Sequence, residues 1–503
     1  MNWELLAFGV YFFAMIAISV VFFLKSKGDS EDYFIGGRSL GPWVTALSAQ
    51  ASDMSAWLLM GLPGSILAFG FGKMWIGIGL AIGTAANWII TARRLRKFSK
   101  AAGDAITLPQ YFANRFAAKS RAIQIICALI FLVFFTVYVA SSFVAGTTVF
   151  GALFPDLPSK YAMVFFAIII IIYTFFGGFK GVCWTDFFQG ILMFCALLAV
   201  PIVILAVQQL DTSLLANVYE YMDGATGAVT TCTFGTGLFD SSWQDIVSGL
   251  GWGLGYFGMP HILIRFFGIE KPSMLKKSMV VAIVWVVVTL LAATVIAYFG
   301  RMIVAEELLT TGTQSMVFIV LARKYFPAFL AGILMAAIIA ASMSTADSQL
   351  LVASSSFTTD IYKPIFRNNA SEKEILWVGR AVVIIVAIVA YFIASSQGAG
   401  AQAIMNIVDN AWGGFGSAFG PTVILSLFWK RFNEKGAIAG IVVGALVDVV
   451  WALTLSGSTN IYEIIPGFIC GMIAAVVVTL LTKAPSQEVY DLFEKATAPD
   501  FDE

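Results

Sequence analysis

The sequence predicts an all-α polytopic membrane protein with about thirteen transmembrane helices, and three observations predict it. Of 503 residues, 59% are hydrophobic and only 12% charged, with a mean hydropathy of +0.87. A soluble globular domain carries about a quarter charged residues. Apolar windows of about 20 residues, the length that spans a bilayer, recur from end to end. Two of them, at 42–70 and 243–267, are broken by glycine, proline and polar residues.

In order, the spans are expected at 4–24, 42–70, 74–92, 121–149, 161–178, 186–207, 243–267, 278–300, 327–355, 375–395, 400–429, 436–456 and 461–482. Residues 5 to 24 have no basic stretch before them, and Lys25 and Lys27 follow. That pattern is a retained first helix starting outside, not a cleaved signal. The connection after the third span carries Arg93, Arg94, Arg96, Lys97, Lys100, Arg115, Lys119 and Arg121, with an interfacial helix expected near 108–115. Lys271, Lys276 and Lys277 follow the seventh span, Lys363, Arg367 and Lys373 the ninth, and Lys430, Arg431 and Lys435 the eleventh. The opposite connections are poor in Lys and Arg, apart from Arg301, Arg323 and Lys324 after the eighth. The positive-inside rule therefore places the N-terminus outside and the C-terminus in the cytoplasm. The tail from Lys483 is short and acidic, with no room for a sensor or nucleotide-binding domain.

Composition also excludes function classes. The net charge is zero, so nucleic acid is not an expected partner. Five cysteines suggest no disulfide framework, and one histidine leaves no zinc or haem site, so no cofactor is expected. No nucleophile–base pair is visible, which argues against an enzyme.

The second span holds Ser48, Ser52, Asp53 and Ser55, then Gly61, Pro63 and Gly64. The seventh holds Gly249, Gly251, Gly253, Gly255, Gly258 and Pro260. Glycine and proline break helices, and the freed carbonyls need a partner. The two spans lie five apart, an odd number, so a repeated five-helix unit would lie inverted in the membrane. Interrupted segments at matching positions of inverted halves point to a transport site. A third signal is the stretch AAIIAASMSTADSQLL, 336–351. There Ala341, Ser344 and Thr345 share one helical face. Small residues on one face also suit plain helix packing; the coincidence with two broken spans favours a buried cation site. Asp53 is costly at membrane depth and by default functional.

At these residues a resemblance appears. GGRSLGPWVTALSAQASDMSAWLLMGLPG (36–64), GGFKGVCWTDFFQG (177–190), GWGLGYFGMPHILIRF (251–266) and the Ser344–Thr345 helix are similar to the sodium/solute symporter family, in its bacterial sodium/proline branch. The resemblance implies a LeuT-type core of two inverted five-helix repeats, about 42–207 and 243–429, with peripheral helices 4–24, 436–456 and 461–482. It implies sodium-coupled import of L-proline across a bacterial inner membrane, with lipid around the protein and no obligate protein partner. The sodium ligands carried over are the carbonyls of Ala51, Met54 and Ala341 and the hydroxyls of Ser344 and Thr345. The substrate positions are Ser55, Trp57, Gly61, Tyr138, Trp252, Tyr256 and Pro260, an aromatic wall suited to a small cyclic imino acid. Arg38, Asp53 and Asp186 carry over as coupling residues. Taken alone, Arg38 reads as a topology charge and Asp186 as a helix-start acid. His261 reads as a satisfied core histidine.

Three places depart from the proline pattern. Asp409 and Asn410 replace a small hydroxyl residue and a tyrosine, and Asp347 replaces serine; Asp448 also replaces a neutral residue. Asp347 continues the Ser344 face toward the cytoplasm. With Asp186 it is expected to form a second cation site or a sodium-release step, because two facing carboxylates repel when empty. Asp409 and Asn410 leave another small amino or organic acid as the alternative substrate. A channel or a membrane receptor is the alternative of a different class.

Overall fold

The computed structural model describes residues 2–25, 30–222, 228–396, 401–499 and 501. Lys27 and Gly400, the latter at the expected start of the eleventh span, lie outside the described residues. Among the described residues, ten helices are long and apolar enough to cross a membrane, from Trp3–Phe22 to Ile464–Leu481. The fifth and sixth predicted spans run together as Ser159–Val207, 49 residues, about twice one crossing. Gly178, at φ 56° and ψ 174°, interrupts that helix.

The second and seventh predicted spans are missing from the ten because they are broken. The second runs as helix Pro42–Asp53, a short turn Ala56–Leu58, and helix Gly61–Phe69. Between them the chain unwinds at Met54 (φ −82°, ψ 76°) and Ser55 (φ −62°, ψ −170°). The seventh runs as Trp243–Gly251, a tightened turn Trp252–Phe257, and Pro260–Gly268. Pro260 opens the last helix, where a missing N–H costs nothing.

The centre of the molecule is helix Ala328–Ser356, buried without interruption from Leu334 to Ser356. It lies against Ser159–Val207, Ala122–Leu153 and the first helix, whose Ala7 and Glu4 crowd Gly332. A stretch with so many alanines and serines lets neighbours approach closely. Helix Met74–Ala86 packs on the broken seventh segment even more tightly. A Cβ on Gly253 would stand 2.5 Å from the carbonyl oxygen of Gly79, and one on Gly83 would stand 2.4 Å from Gly253.

The connection 208–242 carries regular structure among its described residues. Strands Tyr219–Met222 and Val229–Cys232 pair antiparallel, with Tyr219 opposite Cys232. This hairpin takes up Arg301, one of the three residues in the exception to the charge count. Arg301 is buried in helix Leu275–Ile303 and donates to the carbonyls of Leu67 (3.1 Å), Cys232 (3.2 Å) and Asn217, with its guanidinium 4.9 Å from the Tyr219 ring. Arg323 pairs with Glu4 at 2.7 Å. Neither is a free loop charge. All five cysteines are free. The interfacial helix forms at Leu108–Arg115, capped by the Thr107 hydroxyl on the Gln110 N–H (3.1 Å).

The glycine contact sets a prediction. Gly253→Val must push two helices apart, at a cost of about 1–3 kcal/mol. A lower Tm of the purified protein than for Gly457→Val, whose Cβ would meet nothing within 4 Å, is the expected result.

Candidate functional site

Unwinding at residue 54 leaves the end of helix Pro42–Asp53 facing the middle of helix Ala328–Ser356. Ser344 Oγ bridges the two, 2.8 Å from the Ala51 carbonyl oxygen and 3.2 Å from that of Ala341. The Met54 carbonyl, at the break that ends the same half-helix, accepts no hydrogen bond among the described residues. Thr345 Oγ1 is buried with no partner. A buried hydroxyl without a partner is uncommon in native structures and calls for an explanation. Here all the surrounding donors are neutral oxygens, a set that suits a hard cation. Freed carbonyls and half-helix C-termini are also where transporters hold sodium. Ala51, Ala341 and Ser344, three of the five expected ligand residues, are thus brought together, with Met54 at the break of the same half-helix and Thr345 next to Ser344 in the chain.

Asp53 ends the same half-helix but points the other way. Its carboxylate accepts from the Tyr256 hydroxyl at 2.6 Å, so it ties the first broken segment to the second. It is buried and lines a small cavity together with Met54, Ser55, Trp57, Leu80, Tyr138, Trp252, Val408 and Trp412. That cavity has room for about one water molecule. The rings of Trp57 and Trp252 lie 5.8 Å apart, and Trp412 stacks on Trp252 at 6.3 Å and meets Tyr256 edge-on at 5.1 Å. Ser55, Trp57, Tyr138 and Trp252 line the cavity as expected, and Tyr256 adjoins it. Gly61 and Pro260 do not line it; each instead starts the helix that follows a break.

Three lining residues escaped the sequence reading. Leu80 and Val408 are ordinary apolar residues whose only distinction is position. Trp412 carried a signal, a tryptophan immediately before the GGFGSAFGP run. Its Nε1 donates to the Trp252 carbonyl at 2.8 Å, and only glycine at 255 leaves room for its ring.

Arg265 was also missed, although it stands in the quoted GWGLGYFGMPHILIRF run. It is fully buried and pairs with Asp186 at 3.1 Å, while Ser48 donates to the same Asp186 oxygen at 2.7 Å. Arg265 also bonds Ser48 (3.2 Å), the His261 carbonyl (2.5 Å) and Ser348. An arginine at membrane depth requires such partners, and that requirement was the available signal. It corrects the expectation that Asp186 and Asp347 face one another without a counter-charge. Arg265 neutralises Asp186 and holds the turn at Ser348, leaving Asp347 fully buried with both carboxylate oxygens unpartnered.

Arg38 is no surface charge either. It donates to the carbonyls of Phe267 and Ala105, both at 2.8 Å, and to Ser99 Oγ at 3.4 Å, with Asp104 at 3.5 Å. His261 is a core histidine, buried against Phe135 (5.7 Å) and Tyr138 (6.4 Å). Asp448 accepts from Ser417 at 2.8 Å, away from the cavity.

A broken helix with freed carbonyls, crossed by a hydroxylated one, invites comparison with known transporters. The model of the family described as "Sodium:solute symporter family" matches residues 33–444. The chain belongs to the sodium:solute symporter family. An osmoregulated proline transporter of Bacillus subtilis is 40% identical, over 97% of both chains. A sodium/proline symporter of Escherichia coli is 43% identical, over 98% of this chain and 96% of that one. Among solved structures, a Na+-coupled sialic acid symporter in a substrate-bound outward-open state superposes with a TM-score of 0.74, covering 97% of this chain and 99% of that one at 21% identity. The nucleobase-cation-symport-1 transporter Mhp1 in a closed conformation gives 0.53, at 12% identity over 92% and 98%. The fold of this family member is accordingly LeuT-type, in a multi-pass integral membrane protein.

The oxygen cradle makes a test. Changing Ser344 and Thr345 together to Ala removes two of its five oxygens. The sodium concentration for half-maximal uptake is expected to rise about tenfold or more, about 1.4 kcal/mol or above, with membrane expression kept. Wild-type sodium dependence in the double variant would remove the ion from this place.

Proposed function

We propose that this family member is a sodium-coupled secondary active symporter that imports L-proline by alternating access. The observation that carries the reading is Ser344 bridging the Ala51 and Ala341 carbonyls at the helix break, with the unpartnered Thr345 hydroxyl at the next position. Neutral oxygens bind sodium through partial charges alone, which permits release on the far side. The aromatic cavity starts at the next residues, so ion and solute would share the Met54–Ser55 turn. A small ring can lie on Trp57, Trp252 or Tyr138, with its carboxylate near the N–H groups of the unwound segment. The walls must part to admit it, and the Asp53–Tyr256 bond is one closure to be opened. In this reading Arg38 is a coupling residue on the basic side, and Asp186 acts through its pair with Arg265. The names of the bacterial relatives support L-proline, and a bacterial inner membrane is proposed from their bacterial sources together with the apolar helices. The distribution of basic connections supports an N-terminus outside and a C-terminus in the cytoplasm.

Another small amino or organic acid is the second reading, raised by Asp409 and Asn410. The geometry favours the first. Asp409 borders a wider vestibule with Lys73, Asp245, Trp252, Tyr462 and Glu463, on the side of the molecule away from the basic connections, and does not line the cavity. Asn410 is exposed and bonds the Asn406 carbonyl at 2.8 Å. Uptake measured across a panel of amino and organic acids, with and without sodium, decides between the readings. Counterflow of labelled against unlabelled solute separates a carrier from a channel.

Transport is expected to be electrogenic, because a zwitterion travels with sodium through a site of neutral oxygens. One net charge per cycle is worth about 2.3 kcal/mol per 100 mV, or roughly fifty-fold in accumulation. Uptake that ignores both membrane potential and sodium would sink the proposal.

Asp347→Asn is expected to alter sodium coupling more than proline affinity, since Asp347 follows the cradle on the same helix and has no partner of its own. Reversal potentials in proteoliposomes give the sodium-to-solute ratio for both proteins. A ratio of one, with unchanged sodium activation in the variant, would take Asp347 out of the ion path.

A further inference from the structure

Three helices leave a recess on the outer surface of the helix assembly, away from the proposed pathway. Helix Pro42–Asp53, the part of Ser159–Val207 after Gly178, and the first half of Leu275–Ile303 enclose a groove of about 360 Å³. That volume lies in the range of small-molecule pockets. Leu47 and Trp285 are buried and make its floor, while Trp43, Ile191, Val280 and Val284 are exposed and make its rim. The Trp285 indole nitrogen is already used, donating to the Gly190 carbonyl at 3.0 Å, so the floor offers apolar surface only. Toward the basic side, the Ser278 hydroxyl donates to the Pro42 carbonyl at 2.8 Å and joins two of the three helices. An apolar recess of this kind marks a place where another apolar group docks. The end toward the basic side carries charge. Lys276 and Lys277 stand one turn before Val280 and Val281, on the same face of their helix. Lys277 Nζ lies 5.4 Å from the ring of Trp43. Both lysines are exposed, and among the described residues neither has a carboxylate within ion-pair distance. Tryptophan favours the level of the lipid headgroups, and lysines at that level attract anionic lipid.

We propose that this groove binds one anionic phospholipid, with an acyl chain along Leu47 and Trp285 and the phosphate at Lys276 and Lys277. A zwitterionic phospholipid brings the same chain but no net negative charge, so it loses what the two lysines contribute. Leu47 lies one turn before Ala51, so the acyl chain rests on the half-helix whose Ala51 carbonyl meets Ser344. Occupancy requires no transport step and is independent of the symport reading above.

Native mass spectrometry tests the site on the full chain, stripped of lipid in detergent and then given phosphatidylglycerol or phosphatidylcholine with the same acyl chains. The wild type is expected to bind one phosphatidylglycerol about ten- to thirtyfold more tightly than phosphatidylcholine, the contribution of two lysines. Changing Lys276 and Lys277 together to Gln, at two exposed positions, should erase that preference. Lys435→Gln, an exposed lysine elsewhere on the basic side, should keep it. Val281→Trp, which fills the groove, should remove the tightly held phosphatidylglycerol. Equal binding of the two lipids by the wild type would overturn the site, as would a preference that survives in the double lysine variant or in Val281→Trp. A mass of two chains that Val281→Trp reduces to one would also overturn it, because the groove would then seat a second copy of this chain.

Discussion

The structure depends on one constraint: a helix that stops inside a membrane must find partners for its freed carbonyls. Water is not there to supply them, and each group left unsatisfied costs several kcal/mol. Helix Pro42–Asp53 meets this constraint by ending against Ser344, whose hydroxyl reaches the Ala51 carbonyl. That contact explains why helix Ala328–Ser356 must be small and hydroxylated at its centre. A bulkier face would hold the broken end away, and an apolar one would leave its carbonyls orphaned. Thr345, buried without a partner, is the remaining capacity of the same arrangement.

The buried charges follow the same logic by a different route. Each of three buried arginines is surrounded by fixed oxygens: Arg265 by Asp186, Ser48, Ser348 and the His261 carbonyl, Arg301 by the carbonyls of Leu67, Asn217 and Cys232, Arg38 by those of Phe267 and Ala105. A planar guanidinium with five donors suits this use better than a lysine ammonium. These arginines are also joints. Arg38 and Arg265 connect segments distant in sequence, so any relative motion of those segments must break or carry these bonds. Asp347 differs from Asp53 and Asp186, its neighbours near the centre, in that neither of its carboxylate oxygens has a hydrogen-bond partner.

On the other side of the break, aromatic rings replace charges as the organising groups. Trp57, Trp252, Trp412 and Tyr256 come from three separate segments and close on a space with room for about one water molecule. Rings give large contact area with few rotatable bonds, so a wall made of them can shut tightly and reopen without repacking many side chains. The Asp53–Tyr256 bond links this wall to the residue next to Met54. The oxygen cluster at Ser344 and the aromatic cavity are therefore two faces of one unwound turn.

The sequence by itself determined the membrane class, the places where two helices break, and the hydroxylated helix that answers them. All three are local properties of composition: apolar length, glycine and proline content, and the spacing of Ala341, Ser344 and Thr345. Most of the ligand and cavity residues came with a family resemblance, and the structure joins Ala51, Ala341 and Ser344 by hydrogen bonds. Tertiary structure alone decided which way side chains face and what meets them. Gly61 and Pro260 belong to helix starts, Asp53 points to Tyr256 and not into the cradle, and Arg265 takes Asp186. Leu80 and Val408 line the cavity while Asp409, beside Val408, borders the wider vestibule. These outcomes depend on contacts between residues far apart along the chain, and no spacing along one helix encodes the neighbour that another helix brings.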